Sequence, residues 1–194
     1  MRDLQKGYVL RRLCDVFNGW NGYQTSLVHA VEGLSGDQLA WKPSAGVRSI
    51  GELARHIAMG RINWFVRMGA PGSEELAAKI ESWDYDPHGN RHIAENAIDI
   101  ERDATALVGW LNATWGMLDS TLNAWTIEDL GSVYRHVWRG ETYEISRQWT
   151  IWRIMAHDIH HGGQIARILA ERRIEAFELR ALGGHIVPPM KVKG

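Results

Sequence analysis

The sequence predicts an all-α protein, an up-down four-helix bundle, and three observations carry that expectation. Apolar residues recur at steps of three and four along four long stretches. Ser35 with Gln38 and Ser49 with Glu52 stand at capping-box spacing, which marks helix starts. No comparable run of alternating residues argues for a sheet, so four amphipathic helices must bury their stripes against one another.

The first helix is read from Val9, Leu13, Val16, Trp20, Tyr23, Leu27 and Val31, one continuous stripe. "LSGDQLAWKPSAGVR" follows with turn chemistry, a short capped turn stopped by Pro43. The second helix, "SIGELARHIAMGRINWF", carries its stripe through Ile50, Leu53, His56 or Ile57, Gly60 and Trp64, and ends near Gly69, before Pro71. Residues 70–93 read as a long connecting loop with a helical turn, of the kind that borders functional sites. Ile100, Leu107, Leu111, Trp115, Leu118, Leu122 and Trp125 define the third helix, and "TIEDL" is a capped short turn. "VYRHVWRGETYEI" is rich in β-branched and aromatic residues around an Arg-Gly-Glu turn, and predicts a small hairpin or extended arm. The fourth helix is "WTIWRIMAHDIHHGGQIARILAERR". The whole chain, 1–194, is expected to be one domain, with a C-terminal tail over about 183–194 as a flexible end or docking arm.

Composition narrows the function classes. With 22 basic and 23 acidic residues and a net charge of -1, the chain offers no polyanion-binding surface, so nucleic acid is not an expected partner. Cys14 is the single cysteine, which excludes a disulfide framework and a cysteine-based zinc site. No run of 18 apolar residues and no signal-peptide pattern is present, so the expectation is a cytoplasmic protein without a membrane partner. The ten tryptophans are expected to fill a helical core.

The chemistry concentrates in "HDIHHGGQI". At 100° per residue, His161 lies about 40° from His157 on the apolar stripe, whereas His160 falls about 60° to the other side, beside Arg153 and Arg167. Imidazoles at i and i+4 can converge on one metal ion, and neighbours at i and i+1 cannot. The ligand pair is therefore His157 and His161, with His160 at the rim. A third ligand must come from another helix, and His56, inside the second helix beside its stripe, is the best candidate. His88 and His92 share the i, i+4 spacing in a segment interrupted by Pro87, Gly89 and Asn90, while His29, His136 and His185 lack clustered partners. All five are read as surface or satisfied core residues. Three neutral imidazoles leave a divalent ion its full charge and an open position, able to activate water or stabilise a thiolate.

"LSGDQLAWKPSAGVRSIGELARHIA" and "HDIHHGGQIARIL" resemble the two signature regions of the DinB-like metalloprotein superfamily, which includes metal-dependent hydrolases and thiol-dependent S-transferases. Its second region typically reads His-Glu-x-His-His-Arg-Gly-Gln. The resemblance implies metal ligands at His56, His157 and His161, the three that the helical wheel selects, with zinc or nickel as the metal and a low-molecular-weight thiol as cosubstrate. Two positions depart from the pattern. Gly162 stands where arginine is frequent, which removes a charge and adds helix flexibility, and Asp158 replaces a glutamate, which shortens its reach.

Three functions follow for comparison. The first is an enzyme, a transferase or hydrolase acting on a small electrophilic substrate through the three-histidine centre, with no catalytic side chain assignable beyond the ligands. The second is a non-catalytic, metal-stabilised helical homodimer in a stress response, since exposed aromatics suit self-association. The third reads His157, Asp158 and His161 as a zinc-protease His-Glu-x-x-His variant. On the wheel, however, Asp158 points into the apolar arc, a direction better suited to orienting an imidazole or pairing with an arginine of another helix.

Overall fold

The computed structural model describes residues 12–94 and 97–175. Val9, His185 and the expected tail over 183–194 lie outside them. Four long helices dominate: α2 (Asn18–Glu32), α4 (Ile50–Arg67), α6 (Ala104–Ala124) and α7 (Arg147–Glu171). Short helices α1 (Leu13–Val16), α3 (Gly36–Ala40) and α5 (Ser73–Ala77) join them, with a 3₁₀ turn at Glu128–Gly131 where "TIEDL" was expected to turn. Both capping boxes form. Ser35 and Gln38 exchange side-chain and backbone bonds at the start of α3, and Ser49 and Glu52 do so at α4. Helix α4 ends at Arg67, and Gly69 takes the left-handed backbone (φ 64°) that turns the chain toward Pro71.

Three expectations need correction. The fold is mostly helical but not all-α, because two antiparallel strand pairs are present. Strands β3 (Val133–Trp138) and β4 (Glu141–Ser146) form the expected hairpin, closed by Arg139 and Gly140, both at positive φ, a geometry that matches the twist of the strands. The second pair, β1 (Trp83–Tyr85) with β2 (Arg91–Ile93), falls in the segment expected to be a loop. Strands of three residues are too short to display a period, and Asp86 closes their turn by accepting from the backbone N–H groups of His88 and Asn90. The first helix is also not continuous. It breaks at Phe17, and Val16, expected on the stripe, is 49% exposed.

Helix α4 packs on α6 and α7, and α2 packs on the same two. Leu27, Ile57, Ile62, Phe65, Leu111, Leu118, Ile151, Ile154 and Ile165 are completely buried between them. Each such side chain contributes roughly 1.5–3 kcal/mol of transfer free energy. All four long helices meet at one buried ion pair. Arg61 of α4 lies against Asp158 of α7, both with fully buried side chains, at 2.7 Å. The Asp158 Oδ2 atom accepts from Arg61 Nε and from Trp20 Nε1 of α2, each at 2.9 Å. Arg61 Nη1 reaches the Leu111 carbonyl and the Thr114 hydroxyl of α6 at 3.3 Å. No helix among the described residues is long and apolar enough to cross a membrane.

Candidate metal centre

Helix α7 buries a stripe of Ile151, Ile154, Asp158, His161, Ile165 and Ile168 against its neighbours. His161 lies in that stripe and His157 at its half-buried edge, one turn earlier. Across the α4–α7 contact stands His56. The three imidazoles offer ligand nitrogens that all lie within 4.8 Å of one another, and this is the one such group among the described residues. His56 Nε2 and His157 Nε2 face each other at 3.0 Å. Nitrogens held at about 2.0–2.1 Å from one tetrahedral ion stand about 3.3 Å apart, so this pair already has the spacing of two ligands. The wheel-derived set is thus brought together in space. His160 is exposed and outside the group, its ring edge-on to His161 with centroids 4.9 Å apart.

Neighbouring residues orient these rings. Gln164 Oε1 accepts from His161 Nδ1 at 2.7 Å, which fixes the tautomer and leaves the lone pair on Nε2. The His157 Nδ1 atom is buried without a hydrogen bond and sits 3.8 Å from Asp158 Oδ1, which is also unbonded. Gly60 follows His56 by one turn, and a Cβ there would stand 2.9 Å from His157 Cε1. The bare glycine is what admits the imidazole between the helices. Gly162 likewise stands at a close approach. A Cβ at 162 would collide with the Tyr23 hydroxyl, which donates to the Ile159 carbonyl at 3.1 Å.

Electrostatics favour neutral ligands. Burial, then the nearby His157 and Arg48, push His56 down to about 3. Burial likewise lowers His161 to about 4, against the opposing bond from Gln164. Two of the three rings therefore present lone pairs at neutral pH, which is the form a metal takes. Burial alone would raise the Asp158 carboxyl, but Arg61 and the Trp20 N–H hold it below the ordinary carboxylate range. A donor set of three imidazoles, with the second nitrogen of His161 held by Gln164, fits a divalent metal ion.

Among the described residues, two cavities open on the centre and a third adjoins one of them. One of about 400 Å³ reaches His56 and His157 between Arg48, Arg55, His92 and Arg153. A second, about 670 Å³, opens on His161 and Gln164 from the α3–α4 connection. The third, about 550 Å³, lies under the β3–β4 hairpin and shares Trp64 and Arg153 with the first. Here the sequence reading missed residues. His92 and His136, taken as surface or core, both line cavities. Of the ten tryptophans, only Trp20 and Trp125 are buried, and Trp138, Trp149 and Trp152 are exposed. Alternation of Tyr134, His136 and Trp138 along β3 was the available signal.

Comparisons with known proteins bear on the family and the fold. A family model described as the DinB superfamily matches residues 23–165, which include all three histidines. The fold is similar to a crystal structure of a DinB-like protein from Bacillus cereus, with a TM-score of 0.57 and 15% identity over 82% of this chain and 92% of that one. It is also similar to a DinB-like protein from Bacillus subtilis, with a TM-score of 0.54 and 15% identity over 83% of this chain and 94% of that one. No curated protein matches the sequence.

Proposed function

The chain belongs to the DinB superfamily, and on that premise we propose that it is a metal-dependent enzyme with a mononuclear site at His56, His157 and His161. The observation that carries this reading is the convergence of three imidazoles from two helices, within 4.8 Å, on cavities open to solvent. A divalent ion bound there, zinc or nickel, supplies a Lewis acid with a free coordination position. The reaction we assign is transfer to a low-molecular-weight thiol, or hydrolysis, of a small electrophilic substrate. The nucleophile is brought in, because Cys14 in α1 lines none of the three cavities.

The chain's own residues have separable roles in this reading. Gln164 keeps the His161 Nε2 lone pair free. The Arg61–Asp158 pair locks α7 against α4, so that His56 and His157 stay opposed. Arg48 and Arg153 are exposed at the mouth and attract anionic groups, while Arg55 is paired with Glu101 at 2.8 Å. Asp158 does not suit the base of a zinc protease, since its carboxylate is buried and bound to Arg61 and Trp20. An up-down bundle of the four long helices, a single domain and a cytoplasmic location complete the reading. A homodimer is our assignment of oligomeric state, and a metal-stabilised, non-catalytic dimer is the alternative that exposed Trp138, Trp149 and Trp152 favour.

Elemental analysis of protein purified without chelators tests the centre. The expected result is about one divalent ion per chain, lost in His56→Ala, His157→Ala and His161→Ala and retained in His160→Ala. No metal in the wild type after reconstitution, or equal loss in all four variants, refutes the assignment.

A further inference from the structure

The cavity under the β3–β4 hairpin has a composition unlike that of the other two. Its walls are Trp64 from α4, His136 and Trp138 from β3, Tyr143 from β4, and Trp149 and Arg153 from α7. The strand register sets His136 opposite Tyr143, so both rings stand on one face of the hairpin. Trp64 and Trp149 meet at 5.7 Å between ring centroids, and Trp64 also meets His136 at 5.2 Å. Trp138, Tyr143 and Trp149 remain 51%, 42% and 41% exposed, which leaves aromatic surface on the cleft uncovered.

Two charged groups line the cleft, Glu144 and Arg153, while Arg67 and Arg139 lie over the rings of Trp64 and Trp138 at 4.8 and 4.5 Å. Glu144 lies on β4 opposite Arg135, its cross-strand partner. Arg153 makes no ion pair among the described residues, and its guanidinium rests over Trp64 at 4.7 Å and Trp149 at 5.3 Å. Trp64 and Arg153 also border the cavity that reaches His56 and His157. The cleft and the metal pocket therefore share a wall. A volume of about 550 Å³ is that of a small-molecule site.

We propose that this cleft binds the flat aromatic portion of the substrate, with an anionic group of the same molecule on Arg153 and the reactive end directed toward the three histidines. Ring faces of indole, phenol and imidazole match an aromatic ligand, whose edge and face carry complementary partial charges. The guanidinium already lying along Trp64 and Trp149 is placed to pair with a carboxylate at the ring's periphery. This inference rests on the metal-enzyme reading above. It adds to it a substrate class, an aryl acid or aryl-bearing anion.

The test is calorimetric titration of the full chain with 1-naphthoate, in metal-free and cobalt-loaded forms, with metal content measured on the same samples. Saturable binding in the millimolar range or tighter is expected, weakened about tenfold by Arg153→Gln or Trp149→Ala. It is also expected to be about tenfold weaker for 1-naphthylmethylammonium, which reverses the charge. His157→Ala should lose metal yet keep naphthoate affinity within about twofold. In the cobalt-loaded wild type, paramagnetic relaxation of the bound naphthoate protons should report the shared wall. Circular dichroism verifies the fold of each variant, and Trp149→Leu replaces Trp149→Ala if that variant unfolds. Three results overturn the proposal: no saturable binding, binding indifferent to both cleft substitutions and to ligand charge, or binding without relaxation when metal is present. A wild-type dimer that Trp138→Asp turns into monomer overturns it too, by showing a second copy over the cleft. A failed metal analysis with naphthoate binding intact refutes the enzyme reading and leaves the cleft as a separate site.

Discussion

Replacing Gly60 with alanine opposes two effects at a single carbon atom. Alanine is the better helix former, by about 1 kcal/mol in a helix interior. The added methyl, however, would stand 2.9 Å from His157 Cε1, 3.5 Å from its Nε2 and 3.6 Å from its Nδ1. Carbon atoms in contact prefer about 3.5–4.0 Å, so the imidazole must retreat by roughly 0.6–1 Å. Overpacking of that kind costs about 1–3 kcal/mol, which leaves the metal-free protein between unchanged and about 2 kcal/mol less stable after the helix gain is subtracted. Metal binding has no such offset. Ligand distances tolerate about 0.2 Å, and disturbing the group that orients a ligand typically costs 10- to 100-fold in affinity, as an order of magnitude. Competition against a chelator of known affinity measures the second effect, and thermal unfolding of the metal-free protein measures the first. Zinc affinity within about twofold of wild type would falsify the claim that His157 binds from the position it occupies here.

Other predictions follow from the same geometry. Asp158→Asn leaves Arg61 buried without its counter-ion and is expected to cost about 3–5 kcal/mol in urea unfolding, whereas the double change Arg61→Met with Asp158→Leu should recover much of that loss. If the single and double variants are equally unstable, the pair is not what joins the four helices. Gly162→Ala should destabilise by about 1–3 kcal/mol through Tyr23, and a Tyr23→Phe background should relieve part of it. Additive losses would show that the two side chains do not meet. Stability should also depend on pH through the depressed histidines. Unfolded imidazoles gain protons near 6.5, while His56 at about 3 and His161 at about 4 stay neutral when folded. Their contribution is thus complete above 6.5, and the metal-free protein loses stability as pH falls from there toward 4. His161→Asn should flatten that slope between pH 7 and 5, by about one proton's equivalent. Identical slopes in the two proteins would mean that burial does not hold His161 neutral.

The helices were legible in the sequence because their determinants are local. Ser35 with Gln38 and Ser49 with Glu52 need a separation of only three positions to form a cap. The ligand pair on α7 was legible for the same reason: four residues of helix return a side chain to the same face, so His157 and His161 converge wherever α7 packs. His56 could be nominated from its stripe, but its 3.0 Å approach to His157 depends on how α4 meets α7. The hairpin of β1 and β2 escaped notice because three-residue strands carry no period, and its turn depends on Asp86 accepting backbone bonds.

Tertiary structure alone decided what lies beside the histidines. Asp158 has a wheel position that allows either an imidazole or an arginine as partner, and the packing of α4 brings Arg61 to it. Gly60 reads as one step of a helical stripe and Gly162 as a missing arginine, yet each marks a place where His157 or Tyr23 comes too close for a methyl group. Tryptophans obey the burial rule only where a neighbour is available to cover them, as for Trp20 and Trp125. Trp64, Trp138 and Trp149 instead border an open cleft, because α4, the hairpin and α7 meet around it without closing. Helix periodicity and caps are properties of the chain with itself over a few residues, and they can be read in one dimension. Close approach, charge pairing across helices and cavity shape are properties of surfaces brought together, and only the folded chain has them.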